Sequence, residues 1–130
     1  MDKTRPEIEQ VATITLDAIV CVHRELGPGL LESAYQGCLA YELRSRGMDV
    51  RCEIALPVRY RAIEIDAGYR IDMLVADCVI VENKSVKTLL PVHEAQMLTY
   101  LKVSGHRLGF LVNWNVALVK NGIKRMVYRL

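Results

Sequence analysis

Four apolar residues, Cys78-Val79-Ile80-Val81, follow one another without a polar break and then meet Glu82, Asn83 and Lys84. A β-strand sends successive side chains to opposite faces, so a run without alternation must be covered on both. The run therefore predicts a central strand with packing on each side of its sheet. Tyr69 to Val75 reads as its neighbour, turning back through Ala76-Asp77 as a hairpin. Downstream, Pro91 opens a helix that Gly105 closes, and Arg107 to Asn113 is again an apolar strand. Strand, helix and strand across 78–113 form a crossover, and a crossover requires parallel pairing. A hairpin joined to a parallel pair makes the sheet mixed.

The remaining segments supply the layers. Thr4 and Glu7 stand at capping-box spacing, so a helix starts near residue 5, with Ile8, Val11, Ala12, Ile19, Val22 and Leu26 on one face. Gly27-Pro28-Gly29 ends it. A second helix spans about Leu30 to Arg46, with Leu31, Ala34, Tyr35, Cys38, Leu39 and Leu43 inward and Gly47 as its stop. Val50 to Tyr60 alternates with period two as a strand, and Pro57 assigns it to a sheet edge. A polar turn fills Ala62 to Gly68. Ile123 to Tyr128 is a last strand after a turn at Asn121-Gly122. With no repeat or linker, residues 1–130 read as one α/β domain: a mixed sheet of four to five strands flanked by helices.

Hydrophobic residues make up 52% and charged residues 25%, so a core forms without disulfides or structural metal. The net charge of +2 is compatible with nucleic acid without arguing for it. Cys21, Cys38, Cys52 and Cys78 lack zinc-site spacing and read as small buried hydrophobes in a reducing compartment. With no apolar leader and no membrane-length run, the expectation is a cytoplasmic protein without a membrane partner.

Chemistry concentrates in the hairpin. A turn centred on Asp77 places Asp72 opposite Glu82. Directly opposed side chains lie roughly 4.5–5.5 Å apart, so the two carboxylates repel and need compensation. Lys84, two residues beyond Glu82, points to the same face. One lysine offsets one carboxylate, whereas a divalent cation offsets both. Mg²⁺ commonly binds through one or two carboxylates plus substrate phosphate. The same set suits phosphodiester hydrolysis, with lysine positioning water or neutralising the transition state. A surface hairpin with a charged face is the plainer alternative, since a one-residue slip would separate the carboxylates.

Gly29-Leu30-Leu31-Glu32-Ser33-Ala34-Tyr35 reads as G-x-x-E-x-x-Y, and residues 7–128 resemble the GxxExxY proteins of the PD-(D/E)xK nuclease superfamily. Asp72, the Glu82-x-Lys84 triplet and Gln96-x-x-x-Tyr100 on the next helix are similar to the motifs of its RecB-like branch. The resemblance implies a restriction-endonuclease-like core and a Mg²⁺- or Mn²⁺-dependent nuclease acting on nucleic acid, DNA before RNA. It implies Asp72, Glu82 and the Asn83 carbonyl as metal ligands, and Glu32 facing the metal or its water. Lys84 would be catalytic, with Gln96 and Tyr100 lining the site to orient nucleic acid or Lys84. Ile71 stands where the superfamily name has proline, and Asn83 where an apolar residue is usual; the Asn83 side chain is expected on the opposite layer.

Other residues carry two readings each. Glu32 also suits a first-turn glutamate favoured by the helix dipole. Tyr35 suits the core with its hydroxyl on a polar neighbour. Gln96 and Tyr100 share a helix face, which on an amphipathic helix is otherwise a polar stripe. His93 fits a solvated first-turn residue, and His23 and His106 a structural role. Trp114 either stacks on a base or covers the core edge. Lys120, Lys124, Arg125 and Arg129 either meet phosphates or form a solvated edge. A binding or assembly module without turnover, and another kind of phosphoesterase, are the competing classes. A homodimer enclosing the substrate is a further expectation.

Overall fold

In the computed structural model, which describes residues 2–130, the first helix begins where its capping signal places it. Helix α1 spans Arg5–Leu26: the Glu7 amide donates to Thr4 Oγ1, and the Thr4 amide to the Glu7 carboxylate. Helix α2 spans Glu32–Ser45 and α3 spans Pro91–Ser104. The strands are β1 (Val50–Ala55), β2 (Val58–Tyr60), β3 (Ile63–Ile65), β4 (Arg70–Val75), β5 (Val79–Lys84), β6 (Leu108–Asn113) and β7 (Ile123–Val127).

Five strands form one sheet in the order β1-β4-β5-β6-β7. The β5/β6 pair, joined through α3, is parallel, and the other three pairs are antiparallel. Strand β5 is the middle strand and is buried from Val79 through Asn83. Alternation sends Val79 and Val81 into the core under α1 and α2, with Ile19, Leu39, Leu43 and Phe110. Ile80 joins the core under α3, with Leu74, Met97, Leu101 and Leu111. Gly109 on β6 leaves the room that the Met97 side chain fills, since a Cβ there would meet its sulfur at 2.6 Å.

The expected strand over 50–60 is two strands. Pro57 offers no N–H to continue the ladder. After it the chain leaves the main sheet as β2 and pairs with β3 in a separate two-stranded hairpin. The segment expected as a polar turn at 62–68 thus contains β3. Helix α2 is rotated from expectation: Tyr35, Leu39, Ala40 and Leu43 are buried, whereas Leu31, Ala34 and Cys38 are exposed. The inward stripe follows Tyr35 rather than Leu31, because Leu31 is the N-cap and lies outside the first turn. Cys38 is therefore not a core residue, and Cys21 and Cys52 are only partly covered; Cys78 is buried.

Candidate active site where β4 and β5 part

The β4–β5 turn is tight. Ala76 and Asp77 both adopt positive φ, and the Cys78 amide donates to the Val75 carbonyl at 3.0 Å. Pairing runs Val75↔Val79, Leu74↔Ile80 and Met73↔Val81. Its continuation sets Asp72 against Glu82, as the turn position predicts. There the ladder changes character. The Asp72 amide donates to Glu82 Oε2 at 2.7 Å, and the Asn83 amide donates to Asp72 Oδ2 at 2.8 Å. Each carboxylate grips the other strand's backbone in place of a carbonyl. Among the described residues the second oxygen of each accepts no hydrogen bond, and neither is a sealed, unpartnered atom. Two acceptor oxygens therefore remain free for a further partner.

The charge balance is poor. Glu82 is 3% exposed. Burial, and then repulsion from Asp72, push its carboxyl up to about 8. Burial also raises Asp72, against the Asn83 amide and Lys84, which favour its charged form. Lys84 lowers both acids through its charge, yet makes no ion pair among the described residues. Two close carboxylates, one buried and one half-buried, beside a single lysine that pairs with neither are a costly arrangement unless something else neutralises them.

Glu32 and Asp72 line one cavity of about 510 Å³, together with Gln36, Arg44, Cys52 and Glu53. Glu53 is an addition that sequence reading misses. Cys52↔Met73 and Ile54↔Ile71 flank it, so β1 carries it opposite Asp72, and the Gln36 amide holds its carboxylate at 2.8 Å. Its charge raises both Asp72 and Glu82. Only the β1–β4 register reveals it, because alternation alone groups Glu53 with solvated Arg51.

The G-x-x-E-x-x-Y segment clamps the end of β5. Gly29 adopts φ +102°, a conformation L side chains rarely take. The Tyr35 hydroxyl donates to the Gly27 carbonyl at 2.5 Å and accepts from the Leu30 amide at 3.2 Å. Glu32 Oε1 accepts from the Ser85 amide at 3.2 Å, and Ser85 Oγ donates to the Leu30 carbonyl at 2.8 Å. Glu32 thus fixes the residue after Lys84.

A family model for the PD-(D/E)XK nuclease superfamily matches residues 9–126, a span that includes Asp72, Glu82 and Lys84. The chain belongs to that superfamily. Its five-stranded mixed sheet flanked by three helices is a restriction-endonuclease-like fold. No curated protein and no solved structure matches the chain.

PD-(D/E)XK nucleases generally use divalent metals, and the donor set here fits one: two carboxylates with open oxygens suit a hard cation that keeps most of its waters. Among the described residues no three His, Cys, Asp or Glu side chains are gathered to hold an ion by themselves. Glu32, with one oxygen on Ser85, does not close a three-carboxylate cage with Asp72 and Glu82. The Asn83 amide serves Asp72, while its buried side chain accepts from Trp114 Nε1 at 2.9 Å and donates to Met73 Sδ at 3.2 Å and Gln36 Oε1 at 3.4 Å.

Tyr100 is 4% exposed. Burial, then the Glu82 and Asp72 charges, push its hydroxyl up to about 12, so it is a neutral donor near the pair. Gln96 lines a separate apolar groove with Tyr100, Tyr69 and Val92, and makes no hydrogen bond to Lys84. His93 caps its own helix, accepting from the Leu90 amide at 2.9 Å. Trp114 is fully buried, stacked on Tyr35 with centroids 4.7 Å apart, which leaves no face for a base. Lys124 and Arg125 pair with Glu94 and Glu9.

Proposed function

We propose that this chain is a metal-dependent nuclease that hydrolyses phosphodiester bonds in DNA, its residues 1–130 acting as one nuclease-like domain of GxxExxY type. The observation that carries the reading is the reciprocal grip of Asp72 and Glu82, which holds a half-buried and a buried carboxylate side by side with one free oxygen each. Asp72 and Glu82 are the proposed ligands of Mg²⁺ or Mn²⁺, with the Asn83 carbonyl beside them and Glu32 reaching through water. A bound divalent cation supplies Lewis-acid charge at the scissile phosphate. Lys84, free of any ion pair among the described residues, orients the attacking water and offsets charge that develops on the phosphate. The Tyr100 hydroxyl donates a hydrogen bond from the α3 side. No helix among the described residues is long and apolar enough to cross a membrane; a cytoplasmic location and a homodimer complete the proposal.

The test is cleavage of labelled single- and double-stranded DNA and RNA with Mg²⁺ and Mn²⁺, with Asp72→Ala beside the wild type. Metal-dependent DNA cleavage that Asp72→Ala abolishes is the expected result. Binding without cleavage by the wild type would replace the nuclease with a nucleic-acid-binding module.

A further inference from the structure

The β2–β3 hairpin carries an apolar face that is largely exposed among the described residues, only the Arg61 guanidinium lying over the Tyr60 ring. Val58 pairs with Ile65 and Tyr60 with Ile63, which places all four side chains on one side; Arg59 and Glu64 pair on the other at 2.8 Å. Tyr60, Ile63 and Ile65 are 57%, 55% and 46% exposed. Among the described residues the two strands make their substantial contacts only with each other. A two-stranded hairpin alone is marginal in water and needs another layer on its apolar face.

That face is continuous with a groove. Val58 also lines the apolar cleft of about 440 Å³ between the start of β2 and α3, with Leu56, Tyr69, Val92 and Val103. One contiguous surface thus offers an apolar ridge and, beside it, an apolar cleft. A two-fold interface uses the same patch on both subunits, so it requires a patch complementary to itself. A ridge beside a cleft of matching chemistry meets that condition. Tyr60, Ile63, Ile65, Tyr69, Val92 and Val103 are each between 45% and 63% exposed, an apolar patch on the order of several hundred Å² per copy, the size that marks a protein interface and of the same order as the about 800 Å² each partner buries in a standard one. The cleft itself is lined by no lysine or arginine, and Arg59 is paired with Glu64 while the Arg61 guanidinium lies over the Tyr60 ring; this favours protein over a nucleic-acid strand, which would call for cations along the cleft.

We propose, resting on the homodimer of the proposed function, that the occupant is a second copy of this chain: each hairpin lays its apolar face into the other copy's cleft, forming a two-fold dimer. Tyr100 lies on the wall of that cleft, so the partner's hairpin closes the α3 side of the Asp72–Glu82 site. The cavity bearing Glu32 and Glu53 is left as the route to it.

The test is the mass of the full chain by sedimentation equilibrium, with circular dichroism as the check on folding. The wild type is expected at twice 14.7 kDa. Ile63→Glu on the ridge and Val92→Glu in the cleft should each be monomeric with unchanged spectra, while Leu118→Glu, exposed elsewhere, remains a dimer. Amide protection of residues 58–65 should also rise with wild-type concentration, a readout that needs no variant. A wild type that is monomeric at about 100 μM, far above the Kd of a standard interface, overturns the proposal. So does a dimer that both Ile63→Glu and Val92→Glu leave intact. A monomer whose DNA binding Val92→Glu weakens would assign the cleft to nucleic acid instead. All these readouts are independent of cleavage.

Discussion

Glu82 is the residue whose environment is worst for it and whose replacement is most telling. Its folded pKa, near 8, stands above the ordinary 4.5, so the proton is bound more tightly in the folded state. Its contribution to stability is therefore full below pH 4.5 and is lost as pH rises through about 8. The metal-free protein should melt at falling temperature across that window. Glu82→Gln, which keeps an acceptor for the Asp72 amide, should flatten the profile and add on the order of 2 kcal/mol near pH 8, since each tenfold difference in proton affinity is worth about 1.4 kcal/mol and part of the effect belongs to Asp72. Melts that fall equally with pH in both proteins would remove Glu82 as the cause. Added Mg²⁺ should stabilise the wild type at pH 8 more than at pH 5, where protons compete for the same oxygens. Lys84 separates charge balance from chemistry. Lys84→Arg keeps the charge, changes its shape and cannot give up a proton. It should fold, bind Mn²⁺ and lose about 10²–10³ in cleavage rate. A wild-type rate in that variant would remove lysine from the mechanism.

At the scale of elements, the hairpin was the most legible part of the sequence. A continuous apolar run, a two-residue turn and a following Glu-Asn-Lys triplet fixed both the centre of the sheet and the facing of Asp72 and Glu82. The edge was less legible: alternation persists from Val50 to Tyr60 although the strand breaks at Pro57, because period two records facing and not partnership. Glu53 and the role of Glu32 were hidden for a related reason. Both depend on contacts between segments far apart in the chain, the β1–β4 register and the Ser85 amide. Two variants test the element junctions. Gly122 precedes β7, and a Cβ there would lie 2.1 Å from the Asn113 carbonyl oxygen. Gly122→Ala must shift backbone and should cost about 1–3 kcal/mol by thermal melt; an unchanged melt would refute the close approach. Tyr35→Phe removes both hydrogen bonds that tie Gly27 to Leu30. It should cost about 1–2 kcal/mol and lower cleavage by loosening the clamp on Ser85, and a variant as active and stable as the wild type would dissolve that link.

Across the whole molecule the proposed site draws on α2, β1, β4, β5 and α3, while α1, β6 and β7 brace it from outside. Strands β1, β4 and β5 lie close together in the chain, apart from the hairpin between them. Strand β6 reaches β5 only after α3 has crossed over. Parallel pairing across such a crossover closes a longer loop and is slower than a hairpin. The order of assembly predicted is therefore β4–β5 first and β6 last. The lone tryptophan stands at that last joint. Trp114 follows β6, takes the Lys84 carbonyl with its amide, stacks on Tyr35 of α2 and bonds Asn83 of β5 with its indole. In stopped-flow refolding its fluorescence should reach the native signal later than far-ultraviolet ellipticity does; coincident traces would contradict the order. The indole that offers no surface to a ligand is then a built-in optical clock, timing the moment the two halves of the sheet close over the carboxylates.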